Sequence, residues 1–108
     1  MGMYRSKLEI VADVLGVIGE GAKKTHIMYR ANLSYTLVCR YLDWVVGAGL
    51  VRAVRGSGSL YMVTAKGKKF LERYKKFSER RERLHKRIDD VEGEKAELES
   101  MCFASGGR

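Results

Sequence analysis

Proline is absent from this sequence of 108 residues, cysteine occurs twice and tryptophan once. Because no proline interrupts the backbone N–H groups, long unbroken helices are allowed. The two cysteines, Cys39 and Cys102, form no CxxC pair, which argues against a disulfide framework and suits a reducing cytoplasm. No apolar run approaches the ~20 residues of a transmembrane helix, and the first residues lack the apolar stretch of a signal peptide. We therefore expect a cytoplasmic protein of one small domain with an appendage.

Residues able to carry out catalysis or hold a metal are few and scattered. His26 and His85 fall on different predicted helices, and neither has a second His or Cys at ligand spacing. Cys39 has no obvious base nearby, and the segment at 56–58 lacks the Lys-Ser/Thr that a phosphate-cradling loop requires. The sequence therefore predicts no enzyme, no metal site and no cofactor.

Positive charge is in clear excess, with 21 Lys and Arg against 13 Asp and Glu and a formal net charge of +8. A small basic domain is typical of proteins that bind polyanions. Ribosomal proteins and membrane-surface proteins share this composition, so it does not by itself identify the partner.

Apolar residues at helical spacing predict three helices in the first half of the chain. The first covers residues 4–18, ends at Gly19 and Gly21, and has an inward face of Leu8, Val11, Ala12, Leu15 and Ile18. After a connection at residues 22–24, a short second helix covers residues 25–30. A turn at residues 31–33 then leads into a third helix, within the stretch 32–46. A short helix, a tight turn and a longer helix are typical of a helix-turn-helix.

The third predicted helix has one apolar and one polar face. Its apolar stripe is Leu37, Tyr41, Leu42 and Val45, and Ser34 is placed to cap its N-terminus. In DNA-binding helix-turn-helix proteins the free face of this helix reaches base edges. An ordinary core helix with a solvated face would show the same pattern, and the two interpretations carry about equal weight. The residues expected to make polar base contacts are Ser34, Tyr35, Thr36 and Arg40.

The pattern changes from helical to extended after Gly47 and Gly49, which are predicted to end the third helix. Apolar and β-branched runs at residues 50–54 and 60–64 predict two strands, joined by a glycine-rich loop at residues 55–59. A hairpin directly after a helix-turn-helix makes a winged helix. The loop of this hairpin is the wing. Arg52 and Arg55 would give the wing positive charge for contact with phosphates, or would merely make an edge hairpin more soluble. Further phosphate contacts are expected from Lys66, Lys68 and Lys69.

A long helix is predicted from Thr64, which can cap it, to about residue 101. Apolar residues recur in it at a spacing of seven over more than four repeats, which predicts a coiled coil with a partner helix. The expected dimerisation residues are Phe70, Tyr74, Phe77, Leu84, Ile88, Val91 and Leu98. The predicted fold is thus α+β and mainly α, with a winged helix-turn-helix domain at residues 1–64, a dimerisation helix at 65–102 and a disordered tail at 103–108.

The charges of this helix favour an antiparallel pair. Residues 66–87 carry eleven Lys or Arg and three Glu, whereas residues 88–100 carry six Asp or Glu and one Lys. In a parallel pair Arg81 would face Arg81 and Lys95 would face Lys95. With one chain reversed and Phe70 level with Cys102 of the other copy, the basic half of each helix lies on the acidic half of its partner. Flanking charges of this kind set orientation, so we expect an antiparallel coiled-coil homodimer.

Two runs of residues resemble a known family. The run KTHIMYRANLSY at 24–35, followed by Tyr41-Leu42 and Gly49-Leu50-Val51, is similar to the archaeal winged-helix family typified by small basic DNA-binding proteins of Sulfolobus. The run YMVTAKG at 61–67 resembles the strand that leads into that family's last helix. The resemblance covers about residues 5–77 by motif. It implies a winged-helix fold, a C-terminal antiparallel coiled-coil dimer and binding of double-stranded DNA.

The residues and the resemblance together favour a homodimer that binds double-stranded DNA, associated with the nucleoid as a chromatin protein or as a transcriptional regulator. A winged helix can instead be a protein-interaction module without contact to nucleic acid, because fold does not determine function. RNA binding is a third hypothesis. Single-stranded RNA favours a platform of several exposed aromatic residues, and the sequence offers only Tyr35 as a stacking residue.

Overall fold

Four helices and three short strands make up the part of the chain that the structure describes, which is residues 5–54 and 60–103 of a computed structural model. In chain order these elements are α1 (Lys7–Ile18), β1 (Ala22–Lys23), α2 (Lys24–Arg30), α3 (Tyr35–Gly47), β2 (Val51–Val54), β3 (Leu60–Val63) and α4 (Ala65–Phe103). The predicted fold class, a mainly helical winged helix-turn-helix followed by a long C-terminal helix, is confirmed. No helix within the described ranges is long and apolar enough to cross a membrane.

Two compact units divide the chain, Met1–Tyr74 and Lys75–Arg108. The first contains α1 to α3, the strands and the first turns of α4, of which Phe70 and Leu71 pack against its hydrophobic core. The second is the rest of α4, which ends at Phe103, slightly beyond the predicted end at residue 101. The remainder of the predicted tail, residues 104–108, lies outside the described residues, and the domain boundary after residue 64 stays a prediction.

Aliphatic side chains from α1, α2, α3 and the sheet fill the core of the first unit. The largest fully buried side chains are Leu15, Ile18, Ile27, Val14, Val38, Val45 and Val51. Val14 and Val38 lie outside the predicted inward faces, whereas the prediction of Leu8 as a core residue is wrong, since it is 41% exposed. The apolar pattern shows which face of α1 packs inward but not how far along the helix the core extends. Leu8 lies in the first turn, at the margin of the core.

Helix α1 begins three residues later than predicted, because a capping box defines its first turn. The Ser6 hydroxyl accepts from the Glu9 backbone N–H at 3.1 Å, and the Glu9 carboxylate accepts from the Ser6 N–H at 2.9 Å. This reciprocal pair satisfies two backbone donors that the start of a helix otherwise leaves without partners.

The turn between α2 and α3 is a Schellman motif. Asn32 has a φ of 56°, in the left-handed region, and its N–H donates to the Tyr29 carbonyl at 3.2 Å. The N–H of Leu33 donates to the Met28 carbonyl at 2.9 Å, and the Leu33 side chain is buried. Asparagine tolerates a positive φ better than most residues, so it can close α2 where a glycine is more usual.

Helix α3 starts at Tyr35 and not at residue 32, because residues 32 and 33 complete that turn. The same motif follows the last residue of α3, and Gly49, whose φ is 79°, takes its left-handed position. The N–H groups of Gly49 and Leu50 donate to carbonyls of the last helical turn at 3.0 and 2.9 Å. Gly47, which we predicted to break the helix, is its last residue, since only Gly49 needs the left-handed conformation.

The sheet has one more strand than the sequence predicts. Its order is β1-β3-β2, and the antiparallel pairs of β2 and β3 run from Val51 with Val63 to Val54 with Leu60. The prediction of a simple connection at residues 22–24 is wrong, because β1 lies there and pairs with β3. A strand of two residues has no periodicity that could reveal it. The predicted loop at residues 55–59, with Arg55, lies outside the described residues.

Helix α4 starts against the end of α3 through bonds around Thr64. The Thr64 hydroxyl accepts from the Gly67 N–H at 3.1 Å, which confirms its predicted capping role, and donates to the Gly49 carbonyl at 2.6 Å. The Thr64 N–H donates to the Leu50 carbonyl at 2.9 Å. Gly67 is buried here, and a Cβ atom on it would overlap the Leu50 carbonyl oxygen. A residue without a side chain is therefore required at this approach.

Gly67→Ala should destabilise the first unit, although alanine is the better helix former. Because the added methyl group meets backbone and not a flexible side chain, we expect the free energy of unfolding to fall by about 1–3 kcal/mol. Gly93→Ala in the same helix is the matched control, since a Cβ there meets nothing within 4 Å. Chemical denaturation followed by circular dichroism and Trp44 fluorescence measures both. Equal stability of the two variants would contradict the close packing at Gly67.

Candidate nucleic-acid interface

The N-terminal turns of α3 present a polar face to solvent. Tyr35 is 62% exposed, and Thr36 and Arg40 are exposed beside it. Ser34 caps the helix, as predicted, through its hydroxyl oxygen, which accepts from the Leu37 N–H at 3.2 Å and leaves the hydroxyl proton available to a ligand. The first turn of α3, which lies wholly within the described residues, contains no acidic side chain. The partial positive charge of the helix N-terminus is therefore unopposed within that turn.

Lys24, at the start of α2, brings a cation to this face. Its Nζ lies 3.7 Å from Cys39 Sγ, within hydrogen-bonding range for sulfur, and 5.6 Å from the centre of the Tyr35 ring, a cation–π distance. Burial alone would lower the pKa of Lys24. The pKa is nevertheless raised above its ordinary value, because the ammonium group interacts with the ionisable groups of Cys39, Tyr35 and Tyr61 and forms a hydrogen bond with Cys39. The ammonium group therefore stays charged at neutral pH.

Sequence reasoning leaves Lys24 out of the interface because it assigns residues 22–24 to a connection. In the structure this segment is β1 and the first residue of α2, and the pairing of β1 with β3 determines where Lys24 lies. The visible signal is the pair Lys23-Lys24. Sequence alone does not tell which of the two lysines contacts α3.

The lysines predicted to bind phosphate on α4 do not gather at the N-terminus of α3. Lys66 Nζ donates to the Ala48 carbonyl at 2.8 Å, at the opposite end of α3. That helix has 13 residues and is therefore about 20 Å long at 1.5 Å per residue. Lys68 and Lys69 are exposed in the first turns of α4. These lysines therefore lie at a distance from the exposed residues at the N-terminus of α3.

Arg52 is the one predicted wing cation that falls within the described residues. It is exposed on β2, opposite Met62 of β3, and its Nη2 lies 4.0 Å from the Met62 sulfur. Arg55 lies outside the described residues. The guanidinium of Arg52 is thus available to a phosphate group at the sheet edge.

Helix α4 exposes apolar side chains along the second unit. The exposed fractions lie between 45% and 63% for Phe77, Ile88, Leu84, Val91 and Leu98. Arg81, which interrupts this row, lies with its Cζ 5.3 Å from the centre of the Phe77 ring. In the first unit the predicted dimerisation residues Phe70 and Tyr74 are half-buried and stacked, with ring centres 6.2 Å apart. Phe70 therefore already contributes to the core of its own unit.

An open cleft of about 570 Å³ lies beside α1 and the helix-turn-helix turn, lined in part by Arg5, Asp13, Arg30 and Asn32. Arg5 Nη1 lies 2.8 Å from Asp13 Oδ2, and Arg5 Nη2 donates to the Asn32 carbonyl at 3.0 Å. These bonds join the start of α1 to the turn before α3. Across residues 5–54 and 60–103, no group of three or more His, Cys, Asp and Glu side chains could hold a metal ion.

The crystal structure of Sso10a-2, a DNA-binding protein from Sulfolobus solfataricus, is similar to this chain with a TM-score of 0.76 and 27% identity, covering 81% of this chain and 93% of that chain. MarR from Listeria monocytogenes 4b F2365 shares the fold, with a TM-score of 0.55 and 16% identity over 86% of this chain and 72% of its own. The first similarity confirms the resemblance to the small Sulfolobus proteins.

A curated relative, Uncharacterized protein MJ0287 of Methanocaldococcus jannaschii, is 37% identical over 49 residues, which are 44% of this chain and 50% of that protein. The match thus spans about half the length of that relative. A family model described as winged helix-turn-helix matches residues 4–82. That range includes α1 to α3, the strands and the first turns of α4, so the chain belongs to the winged helix-turn-helix family.

Proposed function

We propose that this chain binds double-stranded DNA as a homodimer, with the N-terminal turns of α3 in a major groove. The observation that carries the proposal is the exposed face of α3, where Lys24 adds a cation to the hydrogen-bonding groups of Tyr35, Thr36 and Arg40. In helix-turn-helix proteins this part of the second helix contacts base edges. The similarity to Sso10a-2, which is described as a DNA-binding protein, supports the same function.

The side chains on this face have separate tasks in the proposed complex. Arg40 and Thr36 would donate to base edges, and the Ser34 hydroxyl would donate while its oxygen caps the helix. Tyr35 would lie at the mouth of the groove, with Lys24 between its ring and a phosphate.

Phosphate contacts outside the groove would come from cations on the sheet and α4. Arg52 serves at the sheet edge, and Lys68 and Lys69 serve on the first turns of α4. Lys66 can join them only by leaving the Ala48 carbonyl. The phosphate contact of Arg55, which lies outside the described residues, stays a prediction.

The homodimer would form along the apolar row of α4. Side chains such as Leu84 and Val91 are 55% and 60% exposed, and a helix with such a row is stable in water when a second helix covers it. An antiparallel pair brings the basic residues at 66–87 onto the acidic residues at 88–100 of the other copy. This arrangement avoids Arg81 against Arg81 and Lys95 against Lys95.

Binding of duplex DNA over a range of salt concentrations tests the proposed function. A contact that neutralises several phosphates weakens steeply as salt rises, with a slope of about −0.9 per phosphate on a logarithmic scale. A protein-interaction module would bind duplex weakly or not at all under the same conditions. Equal affinity for random and genomic fragments would assign the protein to chromatin, whereas one preferred fragment would assign it to transcriptional regulation.

Lys24→Ala should weaken binding to all duplexes and reduce the salt slope by about one unit, because one phosphate contact is lost. Lys23→Ala is the matched control, since it removes the same charge one residue away, from an exposed position on β1. Lys24→Arg should restore most of the slope. Fluorescence anisotropy titrations at several salt concentrations measure all three variants. If Lys23→Ala and Lys24→Ala give the same result, Lys24 has no special place at the DNA.

Cysteine crosslinking should distinguish the two orientations of α4. In an antiparallel pair the Cys102 thiols lie at opposite ends, so a Cys39→Ser variant should oxidise slowly in dilute dimers. Arg87→Cys, in a chain with Cys39→Ser and Cys102→Ser, should crosslink readily, because position 87 flanks the seam near the two-fold axis and meets its own copy. Non-reducing gels after mild oxidation measure both. Rapid, near-complete Cys102 crosslinking with little at position 87 would rule out the antiparallel pair.

A further inference from the structure

Two neighbouring lines of charged side chains, on the part of α4 that belongs to the second unit, carry different charges. One, here called the cationic stripe, consists of four exposed residues spaced by 4, 3 and 4, namely Lys76, Arg80, Arg83 and Arg87. The other, here called the mixed stripe, has the same spacing and consists of Lys75, Glu79, Glu82 and Lys86. Residues three and four apart lie on one face of a helix, so each set forms a continuous line. The cationic stripe has a formal charge of +4 and the mixed stripe has none.

The cationic stripe is not neutralised by ion pairs among residues 5–54 and 60–103. None of its four side chains forms an ion pair within the described part of the chain, although Glu79 lies one helical turn from Arg83. Like charges three and four residues apart destabilise a helix. A sequence selected only for a solvated helix would combine charges of both signs along one stripe, as the mixed stripe does. The uniform sign of the cationic stripe therefore points to an anionic ligand.

We propose that the cationic stripe is a second contact surface for the phosphate backbone of double-stranded DNA. This inference rests on the proposed DNA binding and adds a surface to it that is separate from α3. The stripe extends over about 16 Å at 1.5 Å per residue. Duplex DNA carries one negative charge per about 1.7 Å of its axis, so phosphates are available along the whole stripe. Three of the four cations are arginine, whose planar fork of donors matches a phosphate group in two bonds.

The acidic residues of a second copy are the competing ligand, and they match the stripe less well. In the antiparallel pair Arg80 lies near Glu94 of the other copy, but Arg87 lies near its own copy at the two-fold axis. Lys76 and Arg83 each lie about 100° round the helix from the neighbouring residue of the apolar row, Phe77 or Leu84, and so outside the positions that flank a partner helix. Dimerisation therefore leaves positive charge at the middle of the pair, where a DNA backbone can neutralise it.

Neutralising two residues on each stripe tests the proposal. Lys76→Gln with Arg83→Gln removes two charges from the cationic stripe at positions away from the dimer seam. Lys75→Gln with Lys86→Gln is the matched control, because it removes the same charge from the mixed stripe over nearly the same turns. Affinity for a labelled duplex of mixed sequence is measured over a series of salt concentrations for both full-length variants and the parent. Circular dichroism and sedimentation confirm helix content and dimerisation.

We expect the cationic-stripe variant to lose up to about 1.8 units of salt slope for each protomer in contact with the duplex, at about 0.9 per phosphate, and the control to stay close to the parent. Equal losses in the two variants would reveal a general effect of net charge and overturn the proposal. An unchanged slope with a weakened dimer would assign the stripe to the acidic residues of the second copy and also overturn it. If the parent itself fails to bind duplex, the proposed function falls with it. If the parent binds and neither variant differs from it, only the second surface is refuted.

Discussion

The first unit depends on the junction at residues 63–67, where the ends of α1 and α3 meet the sheet and the start of α4. The Val63 N–H donates to the Gly19 carbonyl at the end of α1, and the Thr64 N–H donates to the Leu50 carbonyl after α3. Gly67 lets α4 approach that same carbonyl, since no Cβ stands between them. Strands of only four residues are weak by themselves. The sheet is stabilised here because backbone hydrogen bonds connect the end of β3 to the ends of both α1 and α3.

Local signals in the sequence predicted the helices better than the sheet. Ser34 and Thr64 can be recognised as caps because a cap acts within its own helical turn, and both were confirmed. The position of Lys24 depends instead on β1, whose partner β3 comes 37 residues or more later in the chain. Leu8 illustrates another limit, because periodicity tells which residues share a face and not how far the core extends along it. The sequence therefore named the exposed residues of α3 in the candidate site, whose binding role stays a prediction, and missed Lys24, which β1 and α2 position.

The cations of this chain divide into those that hold the fold and those left to a ligand. Arg5 joins Asp13 and the Asn32 carbonyl, and Lys66 binds the Ala48 carbonyl at the end of α3. Both cations form bonds within the fold, although their charge is the same as that of the exposed residues Arg40 and Lys69. The count of 21 Lys and Arg consequently overstates the cations that are free for an anion, and the structure is needed to sort them.

The orientation of α3 is controlled by three residues, of which only Ser34 would also contact bases in the proposed complex. Asn32 ends α2 through its positive φ, Arg5 holds the Asn32 carbonyl from the side of α1, and Ser34 starts the next helix. Each of these bonds has a backbone atom as one partner, and neither Tyr35 nor Arg40 takes part in them. Tyr35 and Arg40 can therefore vary without moving the helix that carries them, since neither belongs to the turn or to the core. Within the proposed function, this separation lets sequence preference change at the exposed face of α3 while the fold that presents that face stays the same.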